Sequence, residues 1–278
     1  MRGIIISPVK IIGQNSLQVS GEINPITLRQ YLLYWDKIDL PINNIIGFGD
    51  SPEIKFLKNE GVMQQTNIKI LEGGEVADLH LKAQLQALEI NNQKDKGRWT
   101  LGQENIDLVL PKNNFIKSDG IEIDLYRSLP IPTTETSLED ILKFKDKRKD
   151  ELLEFRYLMD TFYLEIIKSG DSERAMIASV DRIQKKISDI DRVMNESMFS
   201  RIKGNLKVNI DLKEVTKNTL LGITGGLHFD YPTSGALLGF AASFINIKAE
   251  LMLKPKKLPI ELQDYAYLYY ANDEEHIN

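Results

Sequence analysis

Between Ser137 and Arg201 the apolar residues recur on a seven-residue repeat, which predicts two long helices folded against one another. One column of the first helix holds Leu138, Lys145, Leu152, Met159 and Ile166; the other holds Ile141, Arg148, Phe155 and Phe162. Ser137, with Asp140 three residues on, resembles a capping box and marks the start. Gly170 interrupts the pattern, Asp171 or Ser172 can cap a second start, and Met176, Val180, Ile183, Ile187, Ile190 and Met194 continue the seam. Facing residues of an antiparallel hairpin have numbers of constant sum. The value 342 matches Ile166 with Met176, Phe162 with Val180, Met159 with Ile183, Phe155 with Ile187 and Leu152 with Ile190. At the root the seam turns polar, with Arg148 opposite Met194 and Lys145 opposite Ser197. At 1.5 Å per residue each helix is expected to run roughly 40–47 Å.

Ahead of this hairpin, residues 1–133 read as an α/β unit. Strands are expected over Gly3–Ser7 and Leu17–Ser20. Asn24 then caps a helix whose first residue is Pro25; it carries Leu28, Tyr31, Leu32 and Trp35 on one side and ends before Pro41. Asp36 and Asp39 read as solvated charges at that helix end. The apolar run Asn44–Phe48 predicts a buried strand, Pro52–Asn59 a short helix closed by Gly61, and Val62–Leu71 a further strand. Gly73 and Gly74 precede an amphipathic helix burying Val76, Leu79, Ala83, Leu85 and Leu88. Short strands are expected around Trp99–Leu101, Asp107–Leu110 and Ile121–Leu129. Strands alternating with helices favour a partly parallel sheet.

Residues 204–278 read as a small α+β unit. Its strands are Asn205–Leu212 and Ser243–Leu251, two short helices fall within Thr219–Ala242, a last helix covers Ile260–Ala271, and the tail is frayed. The fold class is therefore mixed α/β (α+β) in three parts, 1–133, 137–201 and 204–278.

Composition narrows the chemistry. The 278 residues are 42% apolar, enough for a core without staples. The absence of cysteine excludes disulfides, thiolate metal sites and a cysteine nucleophile. A formal charge of −5 gives no whole-protein attraction to nucleic acid or anionic lipid. The opening residues Met1–Gly13 lack a signal-peptide pattern, so a cytoplasmic location is expected.

No motif names a reaction. Gly47, Gly49, Asp50 and Ser51 sit where a strand is expected to hand over to a helix, a place where backbone N–H groups can meet a phosphate. The third glycine of the dinucleotide fingerprint is absent, since residue 52 is proline, and simple turn glycines are the plainer reading. His228 with Asp230 offers an imidazole and a carboxylate, but His80, His228 and His276 show no i,i+4 ligand spacing, and no metal is expected. Tyr231–Ile247 is uncharged for 17 residues, too short and too polar for one membrane span. Tyr265, Tyr267, Tyr269 and Tyr270 lie among acidic residues, which favours docking onto their own domain over stacking on bases.

Four phrases carry a resemblance: RGIIIS at the start, YLLYWDKIDLP (31–41), SLEDILKFKDKRKDELLEFR (137–156) and DYAYLYYA (264–271). Together they resemble a bacterial family catalogued as a domain of unknown function. That resemblance implies a bacterial cytoplasmic protein of the kind met near mobile-element or phage-defence genes, and it supplies no catalytic residue.

Three functions follow as expectations. The first is an interaction or scaffold protein binding a protein partner or a second copy through the hairpin. Its contacts would be the basic root, Lys145 and Arg148, and the off-seam stripe Leu153, Tyr157, Leu164 and Ile167. The second is a nucleotide- or small-molecule-binding enzyme using Gly47–Ser51. The third is a membrane-active effector using residues 219–247. No cofactor, nucleic-acid partner or stable membrane span is expected.

Overall fold

The computed structural model describes residues 1–13, 16–103, 118–196, 244–245 and 258–273. The described residues fall into two compact units, one within residues 1–124 and one from Leu125 onward. The fold is mixed α/β.

In the first unit β1 (Gly3–Ile5) is followed by an antiparallel hairpin of β2 (Val9–Gly13) and β3 (Ser16–Val19). Then come α1 (Pro25–Tyr34), β4 (Lys37–Asp39), β5 (Ile42–Asn43), α2 (Pro52–Asn59), β6 (Met63–Gln64), β7 (Asn67–Ile68), α3 (Val76–Lys94) and β8 (Trp99–Leu101). Four strands form one sheet in the order β6-β4-β1-β8, and every pairing in it is parallel. Counted along the chain the order is third, second, first, fourth, and a helix lies in each connection. The sheet thus grows in one direction from β1 and then reverses between β1 and β8.

Capping follows the sequence at both early helices. The Asn24 side chain accepts from the backbone N–H of Ile26 and Thr27 at the start of α1, and Ser51 Oγ accepts from Ile54 N–H at the start of α2. Helix α3 lies on the sheet, where Leu79, Ala83 and Ala87 pack with Ile5, Ile68, Ile70, Trp99 and Leu101. Gly3 is fixed by this packing: a Cβ there would stand 2.4 Å from the Trp99 ring.

Four expectations change. Asn44–Phe48 is not a buried strand. The Asn43 side chain accepts from the N–H groups of Ile45 and Ile46, both at 2.8 Å, which turns the chain and leaves Ile45 exposed. The inner strand is instead KID (37–39), so Asp39 is fully buried and not a solvated charge. Ile121–Leu129 is not a strand, because α4 (Ser118–Arg127) covers most of it. Ile121, Ile123, Asp124, Leu125 and Tyr126 are all buried, and four successive buried residues from 123 to 126 leave no single apolar stripe to read. Val76, finally, is exposed at the first turn of α3.

In the second unit β9 (Ile131–Pro132), α5 (Leu138–Lys147), α6 (Lys149–Lys168) and α7 (Ser172–Glu196) precede β10 (Phe244–Ile245), which pairs in parallel with β9. A 3-10 turn (Ile260–Tyr265) and α8 (Ala266–Asp273) follow. Helices α6 and α7 pack as a hairpin joined by a short turn. Leu152, Phe155, Met159, Phe162 and Ile166 are buried on one side of it, and Met176, Val180, Ile183, Ile187 and Ile190 on the other. The expected single first helix is broken at Arg148, whose φ of −112° and ψ of 29° separate α5 from α6. The tyrosine segment fills this root. The Tyr267 ring lies 5.2 Å from Phe144 and 6.2 Å from Phe155, while the Arg148 guanidinium sits 3.7 Å above the Tyr270 ring and donates to Glu151 at 3.2 Å.

Strand Asp107–Leu110, strand Asn205–Leu212, the segment Thr219–Ala242 with His228 and Asp230, most of Ser243–Leu251 and the last five residues lie outside the described residues. Among the described residues no helix is long and apolar enough to cross a membrane.

Candidate functional site

A parallel sheet concentrates chemistry at its carboxyl edge, because the loops leaving the strands and the N-termini of the crossover helices converge there. In this chain the parallel neighbours β1 and β8 end side by side, and each is followed two residues later by a polar side chain, Ser7 and Gln103. The second and third turns of α3 add His80 and Gln84, which share a helix face at i,i+4 spacing. All four residues are buried. Ser7 Oγ lies 2.9 Å from His80 Nε2, Gln84 Nε2 lies 2.8 Å from the same nitrogen, and Gln103 Nε2 donates to Gln84 Oε1 at 3.1 Å.

An amide nitrogen can only donate, so His80 Nε2 accepts from Gln84 and the ring proton of the neutral imidazole resides on Nδ1. Nδ1 is buried and has no hydrogen-bond partner among the described residues. Burial pushes the His80 pKa down to about 4, so the imidazole is neutral near neutral pH. The cluster therefore offers a serine hydroxyl beside an uncharged imidazole, a chain of amides that orients both, and one unused N–H donor. Such a set recognises oxygen-bearing polar groups by hydrogen bonds, and the hydroxyl–imidazole pair is the minimal arrangement for passing a proton from a serine.

A second polar cluster lies beside it at the ends of β4 and β6. Asp39 accepts from Thr66 N–H at 2.9 Å, from Gln64 Nε2 at 3.2 Å, from Asn91 Nδ2 at 2.6 Å and from the Thr66 hydroxyl. A buried carboxylate supplied with four donors ties the loop after β6 to α3 and has little capacity left for a ligand.

The residues singled out by sequence are placed as follows. Gly47, Gly49, Asp50 and Ser51 lie in the loop between β5 and α2. Added Cβ atoms at the two glycines would meet nothing within 4 Å, Asp50 pairs with Lys58 at 2.6 Å, and Ser51 is engaged as the α2 cap. Leu153, Tyr157, Leu164 and Ile167 are all exposed on α6, and Lys145 and Arg148 are half-buried. Sequence reasoning passed over Ser7, Gln84 and Gln103 and counted His80 only among the histidines. The available signal was His80 with Gln84 one turn apart, on a helix that the pair Gly73 and Gly74 precedes. Among the described residues no group of three or more acidic or histidine side chains could hold a metal ion.

A family model described as "Family of unknown function (DUF6236)" matches residues 4–275. The chain belongs to this family. It is also similar to the aspartate carbamoyltransferase catalytic subunit of Thermococcus kodakarensis, with 24% identity over 196 residues. That stretch covers 64% of this chain and 62% of the relative, so the chain spans less than two thirds of the length of the protein it matches. No solved structure matches it.

Proposed function

We propose that the first unit binds a small polar molecule at the carboxyl edge of its parallel sheet, where Ser7, His80, Gln84 and Gln103 meet. One observation carries this reading: the place where the strand order reverses is also where a hydrogen-bonded polar cluster with an unused donor is buried. The ligand implied is oxygen-rich, since the cluster presents N–H and O–H groups and no formal charge. Similarity to a protein named as a carbamoyltransferase subunit supports a small-molecule site. The test is a thermal-shift screen of the full chain against phosphorylated, carboxylated and carbamoylated metabolites. One compound class should raise the melting temperature, and Ser7→Ala and His80→Gln should each reduce the shift. No shift with any compound, or a shift untouched by both substitutions, would overturn the reading.

A second reading is an interaction or scaffold component working through the helical hairpin, and the exposed apolar stripe on α6 favours it. The family resemblance supports a bacterial cytoplasmic setting near mobile-element or phage-defence genes. A strict monomer at high concentration that captures nothing from its host would remove this second reading.

A further inference from the structure

We infer that Gln103 is a positioning residue: acting through Gln84, it fixes the tautomer of His80, so that the site meets an incoming molecule with a hydrogen-bond donor at Nδ1. The inference deepens the small-molecule reading above and rests on it. A neutral imidazole carries one ring proton and can hold it on either nitrogen. The hydrogen bond made at one nitrogen decides whether the other is protonated. Burial holds the His80 pKa at about 4, so near neutral pH the choice exists, whereas a cation would carry both protons.

Two side chains meet His80 Nε2, and neither makes the choice unaided. Ser7 Oγ, at 2.9 Å, belongs to a hydroxyl that turns to donate or to accept, so it suits either tautomer. The Gln84 amide, at 2.8 Å, has one donating and one accepting end, and turned over it would suit the opposite tautomer equally well. Its direction is therefore set from outside the pair. Gln103 Nε2 lies 3.1 Å from Gln84 Oε1, and an amide nitrogen, which only donates, requires an oxygen there. With that oxygen held toward Gln103, the Gln84 N–H faces His80 Nε2, which must accept, and the ring proton is left on Nδ1. A reversed Gln84 would set two N–H donors against each other in a buried place, where an unmet donor is costly. Both glutamines are buried, so neither amide can turn over by exchanging its partner for bulk water.

Gln103 is itself placed by close packing where β8 ends. Gly102 N–H donates to the Ile5 carbonyl at 2.7 Å, and a Cβ at Gly102 would stand 2.6 Å from the Ile4 side chain. The backbone leading into Gln103 is thus pressed against β1, the strand that leads into Ser7. The consequence is one of recognition. An N–H at Nδ1 is satisfied by a carbonyl, carboxylate or phosphoryl oxygen and opposes an ammonium or amidinium group.

The experiment is long-range proton–nitrogen NMR of the full chain carrying isotope-labelled histidine, at neutral pH and with no compound added. The His80 signals are those lost in His80→Gln. The native chain should show the Nδ1–H form in roughly tenfold excess, the bias expected when one tautomer gains a hydrogen bond that the other loses. Gln103→Met keeps the side-chain length without the donor, and Gln103→Asn keeps the amide but draws it back; each should bring the two forms to comparable populations. Arg148→Leu, in the second unit, weakens the fold without touching the relay and should keep the native ratio. An Nε2–H ring in the native chain, a native ratio in a folded Gln103 variant, or the same loss of bias in Arg148→Leu would each overturn the inference. The spectra need no bound compound, so a relay that behaves as stated beside a failed thermal-shift screen removes the small-molecule reading alone.

Discussion

His80 shows how one side chain links the site to stability. In the unfolded chain it titrates near the ordinary value of 6.5, and in the fold burial holds it at about 4. Between those pH values the unfolded chain binds the extra proton, so the contribution to stability is complete above about 6.5 and is lost as the pH falls toward 4. The shift corresponds to about 3 kcal/mol. Urea unfolding at neutral pH and near the lower limit should therefore show a larger loss for the native chain than for His80→Gln, by an amount of that order. Equal losses would mean that the imidazole is solvated. Asp39 is the residue for which the sequence misled most, because the phrase WDKIDLP reads as a charged helix end. Its replacement by alanine takes an acceptor from Thr66, Gln64 and Asn91 together and should cost about 1–3 kcal/mol in chemical denaturation. A loss below about 1 kcal/mol would place Asp39 at a solvated surface.

At the scale of elements, the hairpin was legible because a seven-residue apolar repeat depends only on spacing along one helix. Its register is consistent with the ten buried residues of α6 and α7. The root was not legible. Arg148 occupies a seam position where spacing favours leucine, yet it breaks the helix, stacks on Tyr270 and pairs with Glu151. Tyr270 is more than a hundred residues away in sequence, and no local pattern announces that contact. Arg148→Leu should accordingly lower stability by about 1–2 kcal/mol, the sum of a partly buried cation–π contact and an ion pair. A higher melting temperature in that variant would show that the root is merely polar. Helix α4 failed to show in the pattern for a related reason: with residues 123 to 126 all buried, neither helical nor strand periodicity stands out.

For the whole molecule, a ligand that binds only the folded state stabilises it by mass action, about 2.7 kcal/mol at a hundredfold excess over its Kd. That stabilisation is the physical basis of the thermal-shift screen. Because the proposed site joins the ends of β1 and β8 to α3, ligation ties together segments distant in sequence. Amide exchange in β1, α3 and β8 should therefore slow together when the ligand is present and remain unchanged in Ser7→Ala. Slowing confined to α3 would place the ligand on the helix alone.

What the sequence determined by itself is the set of local decisions: the caps at Asn24 and Ser137, the closing Gly61, the hairpin seam and the α/β alternation. Each depends on residues within a few positions of one another, where propensity and periodicity act directly. Tertiary structure alone decided which short segment lies inside the sheet and that β1 separates β4 from β8. It also decided that Ser7, His80, Gln84 and Gln103 converge and that the tyrosine segment fills the hairpin root. Those outcomes are set by pairings across tens to hundreds of residues. A three-residue strand such as KID carries too few side chains to display a period, and only its neighbours on both sides make it the centre of the sheet.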